Sequence, residues 1–269
     1  MISVTIINNN GVRLLKEVLV ALSSFDEVLI YDSGSTDDSL IIAKSFPNVT
    51  IHQHPFNGFG AAHNHAASLA KHDWIFSIDA DEIVSEELIK EISQLKLDPK
   101  YIYDITFHNY FNGKWIKWCG WYPESHIRLY NRKSTGFTNV QVHEGIKTDH
   151  LKIVALKSPI YHYSYASISD FLVKMERYST LFAKQYVGKK RASFFTALYH
   201  GAGAFLKCYF LKRGFLGGFE GYIISRYNGE TAFYKYLKLK ELNNVTLANV
   251  SSRWKREACK FKKHARRPL

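Results

Sequence analysis

Cysteine is scarce in this 269-residue chain: Cys119, Cys208 and Cys259 are far apart and odd in number. That excludes a disulfide framework, offers no zinc spacing and points to a reducing setting. Long apolar runs are missing too. No stretch reaches the roughly 18 uncharged residues of a membrane-spanning helix. A strand pattern begins at Ser3–Ile7, which leaves no room for a signal peptide and sets the expectation of a cytoplasmic protein. There is no internal repeat and no low-complexity linker. Gly-x-Gly-x-x-Gly is absent: the first strand pattern is followed by Asn8-Asn9-Asn10-Gly11-Val12-Arg13. No Walker loop occurs either. Nicotinamide and P-loop enzymes thereby lose their usual grip on phosphate.

Acidic residues run short in the second half. Residues 1–150 carry 13 Lys+Arg against 18 Asp+Glu, a balance of −5; residues 151–269 carry 23 against 6, a balance of +17. The whole chain stands at +12, with 46% hydrophobic and 22% charged residues, a globular composition. An acidic part followed by a basic one implies two tasks. A basic half seeks anionic surfaces: phospholipid, acidic glycolipid or nucleic acid.

What is present is an alternation. Val4–Ile7, Val28–Tyr31, Val49–His52 and Trp74–Ile78 are short β-branched or aromatic runs that read as strands. Leu14 to Leu22, Leu40–Lys44, Ala61–Ala70 and Glu86–Leu95 read as helices between and after them. Such alternation predicts an α/β fold, a mainly parallel sheet with helices on its faces. Polar clusters fall at the strand ends: Asn8 to Asn10, Asp32 to Asp37, His54 to Asn57, and Asp79 to Glu82. Parallel strands would put all four on the carboxyl rim, where open α/β sheets bind ligands.

The stretch Trp74-Ile75-Phe76-Ser77-Ile78-Asp79-Ala80-Asp81-Glu82 is the organising one. A buried unpaired charge costs roughly several kcal/mol, so these acids belong where the strand leaves the sheet. Asp-x-Asp there suits a hard divalent cation, Mg²⁺ or Mn²⁺, and the diphosphate it carries. The alternative is an acidic turn before a helix N-capped by Ser85. Asp32, last in its strand, is placed to accept the N3–H of a uracil. Gly34 permits a tight turn, and Ser35 or Thr36 can cap the next helix. The Gly58–Gly60 loop lets a helix N-terminus approach a ligand, with Asn64 as a contact. Trp115, Trp118, Trp121 and Tyr122 crowd around Gly113 and Gly120 and offer faces for an acceptor sugar.

The set Asp32-Ser33-Gly34-Ser35-Thr36-Asp37, Asn57-Gly58-Phe59-Gly60, Asp73-Trp74 and Asp79-Ala80-Asp81-Glu82 resembles the inverting GT-A glycosyltransferases of family 2. Trp121-Tyr122-Pro123-Glu124, Arg128-Leu129-Tyr130 and Val142-His143-Glu144 narrow the resemblance to the branch that builds the lipopolysaccharide inner core, β-1,4-glucosyltransferases among them. The matches run from the first strand to about residue 240. The resemblance implies a GT-A (Rossmann-like) domain over residues 1–165; residues 166–269 read, from their own pattern, as a basic helical extension. The resemblance also implies inverting transfer of a hexose, glucose from UDP-glucose, to a lipopolysaccharide or lipooligosaccharide core, aided by a divalent cation. Asp81 is then the metal ligand, with Asp79 on the nucleotide side or at the metal. Asn8, Asp32 and Asn64 face the nucleotide sugar. Glu144, ahead of Glu124, is the general base, and Trp121, Tyr122, Arg128 and His143 line the acceptor side. For Glu124 the alternative is a salt bridge with Arg128, four residues on. The chain departs from the pattern at Asn8-Asn9-Asn10, where relatives usually end the strand Thr-x-Asn-Glu, and at Glu124, where Asp is commoner.

From Asp170 the pattern turns helical. Lys189-Lys190-Arg191 precedes the uncharged run Ala192–Leu206; Lys207 and Lys212-Arg213 follow. Gly214 to Gly221 reads as a flexible turn, and the tail from Arg253 to Arg267 as basic and disordered at its end. Apolar residues flanked by lysines suit a helix lying in lipid headgroups, with about 1 kcal/mol per basic residue near an anionic surface. A packed helical subdomain with solvated lysines is the alternative. The expected partners are a nucleoside-diphosphate sugar, a glycolipid acceptor and the anionic inner face of the cytoplasmic membrane. Rival readings are a family 2 transferase acting on a capsular or polyprenyl-linked acceptor, a non-enzymatic anionic-polymer-binding protein, and a non-catalytic glycan-binding module. A nucleic-acid partner leaves the rim acids unexplained.

Overall fold

The computed structural model describes residues 1–138 and 145–264, the last of these from residue 246 as backbone alone. The first half follows the alternation: β1 (Ile2–Asn8), α1 (Leu15–Ala21), β2 (Glu27–Asp32), α2 (Ser39–Lys44), β3 (Val49–Gln53), α3 (Phe59–Leu69) and β4 (Trp74–Asp79). These strands lie in the order β3-β2-β1-β4, all parallel. Both faces are covered. Val4, Ile6 and Phe76 pack with Leu15 and Leu19 of α1 on one side. Leu29, Tyr31 and Ile75 pack with Ala62 and Ala66 of α3 on the other, where small residues let the helix lie close. Each fully buried Leu or Ile contributes roughly 1.5–3 kcal/mol.

Beyond β4 come β5 (Glu82–Val84), α4 (Glu86–Ser93), β6 (Tyr101–Phe111), β7 (Lys114–Trp115), β8 (Glu124–Asn131), β9 (Lys152–Ala155) and β10 (Ile160–Tyr165). Ser85 N-caps α4, accepting the Leu88 N–H at 3.2 Å. In this part the sheet is mixed. β8 runs antiparallel to both β4 and β6, and β10 runs antiparallel to β5. Among the described residues no helix lies between β6 and β10; β8 returns antiparallel to β6, and that excursion is the crossover that lets β9 pair with β6 in parallel. The result is an α/β GT-A-like fold in which the parallel half carries the expected rim.

The chain forms two compact units. One is Met1–Lys117 with Trp121–Ser164; the other is Trp118–Gly120 with the chain from Tyr165 onward. The division thus falls one residue before the boundary expected at 165, and a three-residue piece of the aromatic segment joins the second unit. That piece is held there by the Cys119 N–H, which donates to the Lys212 carbonyl at 2.9 Å. Cys119 and Cys208 are buried and unbridged.

The second unit is helical: α5 (Ile168–Tyr186), α6 (Phe194–Leu206) and α7 (Gly218–His264). Ser167 and Asp170 form a capping box at the start of α5. The expected glycine turn is more ordered than its composition suggests. Gly214–Gly217 is a 3-10 turn and Gly221 already lies inside α7. A Cβ on Gly221 would sit 1.9 Å from the Gly214 carbonyl oxygen, so glycine serves close approach here. The tail continues α7 as far as His264. Among the described residues no helix is long and apolar enough to cross a membrane.

Candidate active site

Register brings the polar strand ends together. Asn8 pairs with Asp32, Asp32 with Gln53, and Ile7 with Asp79. The antiparallel strands extend the same rim. Phe76 pairs with Leu129, so β8 begins, at Glu124, beyond the carboxyl end of β4. Glu124 itself pairs with Phe107 of β6, two residues before Asn109. On β10, His162 pairs with Glu82, and the Tyr163 N–H donates to the Asp81 carbonyl at 3.0 Å.

Arg128 sets the charge balance of the acidic turn. Its side chain is 11% exposed and bonds both Asp79, at 3.0 Å, and Glu82. Glu82 is 1% exposed and also accepts the Asp79 N–H at 3.0 Å. Burial pushes Glu82 well up against the pull of Arg128, and the charges of Asp79 and Asp81 push it the same way. For Asp79 burial also works upward, but Arg128 and the field of His63 overcome it and hold the carboxyl well below the usual range. Arg128, expected on the acceptor side, is therefore the buried counter-ion of the turn. Its anticipated bridge to Glu124 is absent, because four residues along a strand span about 13 Å.

Asp81 is the acid that Arg128 does not bond. Its side chain is 36% exposed, and the His162 Nε2 stands 3.7 Å from it. Behind His162 lies Asn109, which is buried. The Asn109 amide donates to Glu124 and to the Trp121 carbonyl, the latter at 3.1 Å. Its oxygen therefore accepts from His162 Nδ1, at 2.7 Å, which turns Nε2 toward Asp81. A polar chain, Asp81–His162–Asn109–Glu124, thus runs from the turn after β4 across β10, β6 and β8. Glu124 also bonds His126 at 3.0 Å. The His126 bond lowers the Glu124 pKa, burial opposes it, and Asn109 adds to the lowering. Among the described residues no three His, Cys, Asp or Glu side chains form a ready metal cluster. The donor set available to a cation is Asp81 with His162, leaving the other positions to water and phosphate oxygens, as suits Mg²⁺ or Mn²⁺.

The residues expected on the nucleotide side are more committed to the protein than their positions suggested. Asp32 is fully buried. It accepts from Asn8 Nδ2 at 3.0 Å, from the Gly34 and Ser35 N–H groups at 3.1 and 3.0 Å, and from the Ser35 hydroxyl. Those four donors hold in place the carboxylate that was expected to meet a uracil N–H. Burial pushes its pKa up, but the bonds from Ser35, Asn8 and Gly34 prevail and lower it. Gly34, at φ +102°, makes the turn possible. Asn8, also buried, donates to Asp32 and to Ser35 at 2.9 Å, while its Oδ1 has no partner. Asn64 clamps the backbone of Phe137, accepting its N–H at 2.8 Å and donating to its carbonyl at 2.9 Å. His63, one residue earlier on α3, stacks on Phe137 at 4.2 Å and meets the Ser77 hydroxyl at 3.0 Å. Burial pushes its pKa down to about 4.

Of the residues expected on the acceptor side, Tyr122 is exposed and meets Trp115 edge-on at 5.2 Å. Trp115 stacks on His108 at 3.7 Å. Trp121 is half-buried. His143 and Glu144 lie outside the described residues. A cleft is lined by Arg132, Lys133, Thr135, Gly136 and Lys147, next in sequence to Asn131, which pairs with Trp74 at the start of β4. His162 and Asn109 escaped the sequence reading, since nothing local ties Asn109 to a histidine 53 positions away.

Fold and rim together define an α/β protein whose polar strand ends gather at the carboxyl edge of a parallel sheet. Residues 3–153 match the family described as Glycosyl transferase family 2. An uncharacterized glycosyltransferase of Rickettsia typhi is 32% identical over 252 residues, 88% of this chain and 86% of that one. The lipopolysaccharide core biosynthesis glycosyltransferase LpsC of Rhizobium meliloti is 26% identical over 251 residues, 88% and 91% of the two chains. The crystal structure of S. aureus TarS 1–349 in complex with UDP aligns at a TM-score of 0.46 and 15% identity, covering 89% of this chain and 90% of that one. The chain belongs to glycosyl transferase family 2.

Proposed function

We propose that this glycosyltransferase moves a hexose, glucose from UDP-glucose, onto a lipopolysaccharide or lipooligosaccharide core acceptor, with inversion. The observation that carries the reading is Asp81 on the rim, outside the Arg128 ion pairs, facing His162 and linked through Asn109 to Glu124. Burial pushes Glu82 toward its neutral acid and Arg128 balances Asp79, which leaves Asp81 as the charge without a guanidinium, a place that suits a divalent cation. That cation, when bound by Asp81 and His162, supplies neutralisation of the departing diphosphate. Asp79, oriented by Arg128, stands on the nucleotide side. Asn8 and Asp32 hold the first loop in shape for the base, and Asn64 fixes the Phe137 backbone beside it.

The reaction needs a carboxylate to take the proton of the acceptor hydroxyl as its oxygen attacks the anomeric carbon and the bond to diphosphate breaks. Glu144 and Glu124 are the two candidates. Lowering by His126 and Asn109 keeps Glu124 ionised near neutral pH, the state a base requires. Tyr122 and Trp121, with His143, form the acceptor side. The core acceptor is favoured by similarity to LpsC, whose name carries that pathway. A glycolipid acceptor places the work on the inner face of the cytoplasmic membrane, with the protein peripheral to it.

Thermal unfolding with a panel of nucleotide sugars tests the first half. UDP-glucose with Mn²⁺ or Mg²⁺ should raise the midpoint, EDTA should remove the rise, and Asp81→Asn should lack it. If no nucleotide sugar stabilises the protein with metal and EDTA changes nothing, the reading fails. For the base, Glu144→Gln should abolish transfer while leaving nucleotide binding intact. Should Glu124→Gln alone do so, the roles are reversed.

A further inference from the structure

Helix α6 is built inside out. Its buried side presents the smallest residues, Ala197 and Gly201. A Cβ on Gly201 would stand 2.9 Å from the Phe233 Cβ and 3.2 Å from the Gly229 carbonyl of α7, so the two helices cross at glycine. Phe205 packs inward on Gly229 and Tyr222 of α7, but other large residues face outward. Phe195, Leu198, Tyr199 and Leu206 recur at three- and four-residue steps, on one face, and Phe195 and Tyr199 are 78% and 76% exposed. The turns that follow add further exposed apolar residues: Phe210 and Leu211 (79%), then Phe215, Leu216 and Phe219. A helix made only to pack in a core would not leave Phe195 and Tyr199 so exposed.

Charge surrounds this surface with one sign. From Arg177 to Phe219 the chain contains no Asp or Glu and eight Lys or Arg. Lys189, Lys190 and Arg191 come just before α6; Lys207, Lys212 and Arg213 follow it; all are exposed. A second copy docked face to face would bring the same cations against these. An anionic bilayer complements both features at once. Thirteen residues of helix reach about 20 Å, short of the roughly 30 Å hydrocarbon core, so α6 would lie in the surface plane.

We propose that the outward face of α6 and the turns up to Phe219 insert into the interfacial layer of an anionic lipid membrane. The lysine cluster steers, and the aromatic face holds. This deepens the transferase reading, on whose glycolipid acceptor it rests for its purpose, but the surface can be tested without transfer.

The experiment is sedimentation of the full chain with vesicles of phosphatidylglycerol and phosphatidylethanolamine, free of glycolipid and nucleotide sugar. Salt is set at about 0.1 M and about 0.5 M, where screening shortens from about 10 Å to about 4 Å. Binding should persist at high salt, weakened by no more than about threefold if apolar contact dominates. The triple variant Phe195→Ser, Leu198→Ser, Tyr199→Ser should bind at least about tenfold more weakly at both salts. Replacing Lys189, Lys190 and Arg191 by Gln should weaken binding chiefly at low salt. The replaced apolar side chains are exposed, and circular dichroism verifies folding. As an independent readout, Phe195→Trp should gain fluorescence that brominated lipid quenches.

Absence of vesicle binding overturns the proposal. So does binding that disappears at high salt and ignores the apolar triple, or a triple that converts an oligomer to a monomer with vesicle binding unchanged. Failure here leaves transfer to a detergent-dispersed acceptor standing. Loss of transfer with vesicle binding intact overturns the transferase reading alone.

Discussion

With Arg128 replaced by Met, Glu82 would stay buried and Asp79 would face it without a counter-ion. Breaking one partner of a buried pair costs about 3–5 kcal/mol, so Arg128→Met should lose roughly that much in urea unfolding. Adding Glu82→Gln should recover part of it. His63 makes a pH prediction. Its folded pKa is depressed to about 4 from 6.5, so the unfolded chain binds the proton more readily between those values. Its stabilising contribution is full above pH 6.5 and shrinks as pH falls toward 4, by about 2 kcal/mol between pH 7 and pH 5. His63→Gln should flatten that slope relative to the native protein, read by urea titration at the two pH values. Side-chain roles were only half legible in the sequence. Asp79, Asp81 and Glu82 announced themselves as acids ending an apolar run. Which of them Arg128 would bond did not show, since an arginine on β8 meets β4 only through long-range pairing. Asp32 was legible as a rim residue; its four donors were not, because they come from a turn and a neighbouring strand.

At the scale of elements, the α6–α7 crossing sets two effects against each other. Gly201→Ala should gain up to about 1 kcal/mol of helix propensity. The new methyl would meet the Phe233 Cβ at 2.9 Å, close to the α7 backbone, where little can give. Overpacking of this kind costs roughly 1–3 kcal/mol. The variant should therefore be less stable than the native protein in chemical denaturation; a gain would show that α6 can slide away from α7. The strands of the parallel half were readable from short β-branched runs at regular intervals, and their helices from what lay between. The later strands were less so. β6 has 11 residues, with polar Asp104, Thr106, His108 and Asn109 scattered along it, and β10 is mostly aromatic. Local pattern does not state strand direction once crossover helices end.

For the whole molecule, charge separation predicts contrasting behaviour of its parts. The boundary matters for any attempt to divide it. A fragment ending at residue 165 would keep Trp118–Gly120 but lose everything those residues pack on in the second unit. It should unfold at lower urea than the full chain, or lose cooperativity; equal stability would mean the segment adds nothing. Composition showed the acidic-to-basic change but not this excursion, whose only local marks are left-handed backbone at Cys119 and Gly120, φ 62° and 77°. The excursion also bears on synthesis. Cys119 meets the Gly221 carbonyl 102 positions later. At about 5–20 residues per second, a ribosome takes roughly 5–20 s to make that interval. Through that time the sheet can assemble, but a short loop carrying a tryptophan and a thiol must wait, uncovered, for a helix still being translated.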